Sequence, residues 1–307
     1  MKISAYLCNT FENLTSDCWQ SLSESNIKNY FSKYDIPLEV IRFNDPRVQM
    51  ALSATIESGK NTWKQNPAMR KMYRMYDFLN SDNDYGIFID LDTLILNRDT
   101  DIRDCFNLGE NYIKCCYLGT REDLWQRRLA HAKNKDKRQS SYNYIISKMD
   151  FANSRFPNAT HQHLISNTGF SLFNREFCTS FINFLDDNNL NFNKREDILS
   201  YYKNFPNVKY SKNIVCNDEF LFDCYLRSDP KIISKLKDPS IKQDNQKRII
   251  CTNSGIDCDC RDINYDMVDF EDYTIQYFID KDPIFHHTLR EKHTDKTLSV
   301  MMRIFAI

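Results

Sequence analysis

Hydrophobic positions along the chain follow two rhythms. "KISAYL" (2–7) and "LEVIRF" (38–43) are short runs with continuous or alternating apolar residues, the pattern of strands. Between them Trp19, Leu22 and Ile27 recur at helical spacing. The spacing predicts a further helix from Pro67, a residue suited to a first helical turn. Met69, Met72, Tyr73, Tyr76 and Leu79 make its apolar face, while Arg70, Arg74 and Asp77 line up on another. "SDND" (81–84) ends that helix, and the strand "YGIFIDLDTLIL" (85–96) follows. Strand, helix, strand, helix, strand is an α/β order, which predicts a mainly parallel central sheet flanked by helices.

Farther along, "YIKCCYLG" (112–119) reads as a strand and residues 121–158 as a polar stretch. "LISNTGFSLFN" (164–174) is a strand around an Asn-Thr-Gly turn or bulge. A helix over 175–187 presents Phe177, Phe181, Phe184 and Leu185 to a core. "CNDEFLFDCYLRS" (216–228) opens with Asn217 or Asp218 as a cap and runs into an apolar helix. "PIFHH" (283–287) is a last strand, and the amphipathic tail (294–307) reads as a docked helix. Neither an internal repeat nor a low-complexity linker divides the chain, so residues 1–307 are expected to form one domain.

Composition narrows the function classes. The chain has 307 residues, 41% hydrophobic and 27% charged, with a net charge of −1. Nothing global therefore favours nucleic acid or an acidic membrane as partner. Only six glycines occur, where average usage of ~7% would give roughly twenty. Neither GxGxxG nor GxxxxGK[ST] is present, so a phosphorylated ligand must be held by side chains or a metal. Eleven cysteines, an odd number without regular spacing, argue against a disulfide framework. The three in "CTNSGIDCDC" (251–260) read as unpaired loop thiols. Asn13 and Asn158 head N-x-T sequons, but the opening residues lack a signal-peptide pattern. No apolar run approaches the ~18 residues of a membrane span, and the expected compartment is the cytoplasm.

Within 85–96, Asp90 and Asp92 are separated by Leu91. On a continuous strand both acids face one side, where two like charges repel and their burial is costly. A solvated strand end is one reading, although apolar residues on both sides argue against it. A divalent cation, which favours carboxylate and phosphate oxygens, is a second. The third is a haloacid-dehalogenase-like phosphatase with Asp90 as nucleophile. That motif normally follows the first strand, whereas this pair comes about 90 residues in, with Leu94 where Thr or Val belongs.

The ordered set of motifs resembles the GT-A glycosyltransferases, which use D-x-D to hold a metal on a nucleotide-sugar diphosphate. "NTWKQNPAMR" (61–70) is similar, with altered spacing, to the upstream W-x-K-x-P-x-x-R stretch of the plant xylosyl- and fungal galactosyl- and mannosyltransferases. "SNTGFSLFNREF" (166–177) resembles their N-T-G strand and the glycogenin-like variant of it. "NDEFLFDCYL" (217–226) is similar to their D-Q or D-E helix start, and "IFHHTLREKH" (284–293) to a C-terminal strand whose His binds metal. The Gly that usually follows that His is absent; Lys292 falls near the family's Lys, with Arg290 as a second candidate.

The resemblance implies a GT-A fold with a nucleotide-binding half (about 1–100), an acceptor-side half (about 101–290) and the terminal helix. It implies Mn²⁺ or Mg²⁺ on Asp90, Asp92 and one of His286 and His287. Tyr6, with Asp45 as a weaker candidate, would meet the nucleotide base, and Leu91 would lie along the donor. Arg70 or Arg74 would reach the diphosphate or ribose, and Asn167 and Gly169 would border the sugar. Asp218 and Glu219 would face the reacting centre, as a base if configuration inverts or as donor-positioning acids if it is retained. Retention is the expectation by analogy, with a UDP- or GDP-sugar donor, a glycan or protein acceptor, and no nucleic-acid partner.

Plainer readings stand beside these. Arg70 and Arg74 can pair with Asp77 on a solvated face. Asp218 and Glu219 can be simple first-turn acids. "HQH" (161–163) reads as surface loop. A non-catalytic nucleotide-sugar-binding module is a further alternative.

Overall fold

The computed structural model describes residues 1–12, 14–15, 18–58, 70–95, 97–117, 146, 149–150, 152–154, 156–159, 164–204, 218–239, 249–252 and 285–287. The chain runs β1 (Ile3–Asn9), α1 (Trp19–Lys33), β2 (Leu38–Arg42), α2 (Pro46–Glu57), α3 (Arg70–Asn80), β3 (Tyr85–Ile89) and β4 (Thr93–Ile95). A 3₁₀ turn at Ile102–Cys105 precedes β5 (Asn111–Tyr117) and β6 (Leu164–Asn174). There follow α4 (Arg175–Asp187), α5 (Arg195–Asn204), α6 (Asp218–Ser228), α7 (Pro230–Ser234), β7 (Leu236–Lys237), β8 (Ile250–Thr252) and β9 (Phe285–His287).

Six strands form one sheet in the order β2-β1-β3-β6-β5-β7. β1 is parallel to β2 and β3, and β5 is parallel to β7. β6 is antiparallel to both of its neighbours. The sheet is therefore mixed, mainly parallel with one reversed strand, and it draws strands from both sides of residue 100. A second, three-stranded sheet has the order β4-β9-β8. The predicted C-terminal helix over 294–307 and the cysteines of 253–260 lie outside the described residues.

Alternation along β1 and β3 divides the interior between the two faces of the sheet. Tyr6, Cys8, Phe88 and Phe173 point into a core with Met72 and Phe78 of α3, Phe181 of α4 and Phe222 of α6. Ala5, Leu7, Ile87, Ile89 and Leu172 point the other way, onto Ile27, Tyr30 and Phe31 of α1. A strand covered on both faces reads as a continuous apolar run, which accounts for "YGIFI". Gly86 makes room in that run: a Cβ there would lie 2.7 Å from Cζ of Phe88. Phe88 in turn stacks on Tyr6 with ring centroids 5.5 Å apart. No helix among the described residues is long and apolar enough to cross a membrane.

Helix α2 was not expected from periodicity, although its start signal is in the sequence. Asp45 caps it by accepting the Arg47 N–H at 2.8 Å, and Pro46 takes the first turn. The Asp45 carboxylate also binds the Arg47 guanidinium at 2.7 Å. This corrects its assignment to the nucleotide base, because capping and the ion pair occupy it. Arg47 reaches Asp77 as well, at 2.6 and 3.0 Å. Asp77 is thus Arg47's partner, and the pairing of Asp77 with Arg70 or Arg74 is corrected too.

Candidate active site at the D-x-D turn

β3 ends at Ile89, and Asp90, Leu91 and Asp92 form a turn rather than a strand. The Thr93 N–H closes it onto the Asp90 carbonyl at 3.2 Å. The next strand, β4, belongs to the other sheet. The expectation of one strand over 85–96, with both acids alternating onto one face, is therefore corrected. Local hydrogen bonds explain the break. The Asp90 N–H donates to the Gly169 carbonyl at 2.8 Å, and Ser23 of α1 bonds the Leu91 carbonyl. Asn26, one turn later in α1, accepts the Ile95 N–H at 2.8 Å.

On the other side of Asp90 the β5–β6 register slips. Ile113 pairs with Ser171, but the next residue, Lys114, pairs with Asn167. Thr168, Gly169 and Phe170 bulge out of that pairing, as bulges commonly do beside functional sites. Asn167 shapes the bulge by accepting the Gly169 N–H at 2.9 Å. Its neighbour Thr168 is buried, and its hydroxyl donates to Oδ2 of Asp218 in the first turn of α6. Helix α6 is latched to β6 by Asp223, which accepts both the N–H and the hydroxyl of Ser166 at 2.7 Å.

Three cationic side chains from the start of α3 meet these acids. Nζ of Lys71 lies 2.6 Å from Oδ2 of Asp90, 3.6 Å from Oδ2 of Asp218 and 3.5 Å from the Thr168 hydroxyl. Arg74, only 2% exposed, donates from Nη1 to the Ile89 carbonyl at 2.6 Å. The same nitrogen is 3.6 Å from Oδ1 of Asp90. Each oxygen of Asp90 therefore faces a built-in cation. Arg70 lies close enough to feel the charges of Asp90 and Asp218, and burial lowers its pKa from the ordinary arginine value.

The electrostatics follow from this packing. Burial raises the Asp218 carboxyl above the ordinary aspartate range, while Lys71 and the Thr168 hydroxyl oppose that rise. Burial pulls Lys71 down, but Asp218 and Asp90 outweigh it and hold the ammonium above the usual lysine value. Burial also raises the pKa of the Cys8 thiol, near the carboxyl end of β1, which keeps it neutral. The result is a compact set of opposed charges beyond the carboxyl ends of β1 and β3, where open α/β sheets take their ligands.

The structure brings together Arg70, Arg74, Asp90 and Asp218, with Glu219 adjacent and Asn167 and Gly169 forming the bulge. Asp92 sits half-buried in the turn. Strand β9 pairs with β4 so that His287 stands opposite Thr93, and His286 opposite Leu94. This sets both histidines beside the D-x-D turn by register. Lys292, Arg290 and His161–His163 lie outside the described residues. Two expectations are corrected. Tyr6 is fully buried, stacked on Phe88 with its hydroxyl between Ser4 and Ser81, so its ring is not open to a base. The Leu91 side chain packs into the α1-side core and its carbonyl is taken by Ser23, which leaves neither for a donor.

Sequence reasoning missed Lys71 and Thr168. Lys71 lies three residues before Arg74, a spacing that puts both on one helical face. Thr168 carries no signal of its own in the sequence beyond being the middle residue of Asn-Thr-Gly.

No family model matches the chain, and no curated protein does. Several solved structures align with it over nearly its whole length. A glycosyltransferase involved in glycosylation of the major capsid of PBCV-1 is 8% identical, with a TM-score of 0.44, covering 97% of this chain and 99% of that one. The galactosyltransferase LgtC is 9% identical, with a TM-score of 0.44, covering 100% and 95%. Mouse xyloside xylosyltransferase 1 is 10% identical, with a TM-score of 0.37, covering 94% and 97%.

Proposed function

We propose that this chain is a glycosyltransferase that moves a sugar from a nucleotide-sugar donor, UDP-linked by preference, to a hydroxyl of a glycan or protein. The observation that carries this reading is the convergence of Lys71, Arg74, Asp90 and Asp218 beyond the carboxyl ends of β1 and β3. Breaking a sugar–phosphate bond builds negative charge on the departing nucleoside diphosphate. Lys71 and the arginines of α3 supply fixed positive charge for it, in surroundings that weaken screening. Asp218 is buried against Lys71 and Thr168, which suits an acid that positions the donor sugar or steadies positive charge at its anomeric carbon. Glu219 is the neighbouring acid. Retention of configuration fits such roles better than a freely accessible base does.

A hard divalent cation belongs to this reading, supported by the chemistry of two carboxylates, Asp90 and Asp92, in one turn. The described residues gather no group of three metal-ligating side chains, and His286 and His287 enter through backbone pairing opposite Leu94 and Thr93. Asp90, Asp92 and one of the two histidines would hold Mn²⁺ or Mg²⁺, which when bound adds Lewis-acid stabilisation of the diphosphate.

A panel of nucleotide sugars with Mn²⁺, scored for donor hydrolysis and thermal stabilisation, tests the proposal. Stabilisation by UDP or GDP that depends on metal, and is lost in Asp90→Ala and Asp92→Ala, is the expected result. Release of phosphate from simple phosphoesters, with a covalent phosphate on Asp90, would instead establish the phosphatase alternative. Nucleotide-sugar binding without turnover in any acceptor mixture would leave a binding module.

A further inference from the structure

We infer that Lys71 is an internal counter-ion of the D-x-D turn, a positioning residue whose charge a divalent cation takes over at Asp90. This rests on the metal reading above and deepens it. Four observations carry the inference. The Lys71 side chain is 14% exposed and that of Asp90 16%, so neither charge is dissolved in bulk water. Their contact is direct, at 2.6 Å. Lys71 is also 3.6 Å from Asp218, so one ammonium spans an acid of the turn and the acid at the start of α6. Finally, Asp90 is anchored through its N–H to the β6 bulge, which fixes where the carboxylate begins.

Asp90 and Asp218 both lie within 3.6 Å of the Lys71 ammonium, and two like charges gathered that closely need a compensating cation. Here the chain supplies one of its own, so the acidic turn can form before any ion arrives. A cation that binds Asp90 must then displace the ammonium from Oδ2. Asp218 and the Thr168 hydroxyl stay within reach of Lys71, and they keep it in the site instead of releasing it to solvent. The ion pair thus does two things. It preserves the turn without metal, and it weakens metal binding by the work of exchange.

Removing the charge while keeping the length of the side chain separates these effects. In the full chain, Lys71→Met should melt below wild type in chelator, and Mn²⁺ should raise its Tm by more than it raises that of wild type. Free Mn²⁺ followed by electron paramagnetic resonance should give a Kd about tenfold tighter, since a unit charge at this distance is worth at least that much. Adding Asp90→Asn to Lys71→Met should recover part of the stability lost in chelator. Lys71→Gln serves if the methionine variant does not fold. Equal Mn²⁺ affinity in wild type and Lys71 variants would overturn the exchange and leave the metal reading intact. Absence of Mn²⁺ binding to either protein would overturn both.

Discussion

Arg74 and Asp90 are joined by a shared anchor. The guanidinium donates to the carbonyl of Ile89, the last residue of β3, and the same nitrogen faces the Asp90 carboxylate at 3.6 Å. A helix of the sheet's one face is thereby tied to the first acid of the D-x-D turn at the point where β3 stops. Because Arg74 is almost fully buried, this tie is structural as well as electrostatic. Arg74→Met should cost about 3 kcal/mol, the usual scale for breaking a buried pair, and should also lower activity. Urea unfolding measures the first and donor turnover the second. Arg74→Lys should not restore either, since one ammonium does not reproduce the planar fork.

Asp218 is expected to separate stability from function. Burial is the largest influence on it and opposes its charge. Asp218→Asn therefore should change stability little, yet reduce sugar transfer strongly, on the order of 100-fold or more if it steadies charge in the transition state. Thr168→Val removes one hydrogen bond to the same carboxylate and should produce a smaller fall in turnover. Equal activity of wild type and Asp218→Asn would remove Asp218 from the chemistry.

Gly86 tests the packing of the sheet. A Cβ there would strike the Phe88 ring, which stacks on Tyr6 and meets Phe78 edge-on. Gly86→Ala should destabilise by about 1–3 kcal/mol through overpacking, visible as a lower urea midpoint with an unchanged slope. A midpoint within error of wild type would mean that the rings move aside at no cost.

Asp45 carries a pH signature. Its bonds to Arg47 hold the carboxyl below its ordinary value of 3.8. The folded state therefore binds the proton more weakly than the unfolded chain does. The resulting stability is present above that value and is lost as pH falls through the folded pKa. Asp45→Ala should cost about 1 kcal/mol at neutral pH, the usual value of an N-cap. The difference from wild type should shrink as the pH drops below about 4. A cost independent of pH would show that the carboxylate's charge is irrelevant there.

Much of this could be read locally. The apolar runs of β1 and β3 and the helical face of Met72, Tyr73 and Tyr76 are written in neighbouring residues. Arg74, Asp90 and Asp218 could be named there as candidates, and the fold brings the three side chains together. Tyr6 was misread because a half-polar aromatic on a strand gives no sign of which sheet face, or which end, its hydroxyl reaches. The D-x-D segment was misread for a related reason. Apolar residues on both sides of a pair of acids describe burial equally well for one strand or for two strands in different sheets.

Residue order determined the α/β alternation, the scarcity of glycine that excludes loop-cradled phosphate, and the two acids that had to be compensated. It also determined that a basic helix precedes them. Only the tertiary structure decided that part of the compensation is internal. Lys71 and Asp90 are 19 residues apart, Lys71 and Asp218 far more, and no local pattern relates them. Their contact exists because α3 packs across β1 and β3 while the β6 bulge carries Thr168, and with it Asp218, to the same point. Distances between charges on separate elements are set by packing, and packing is a property of the whole fold.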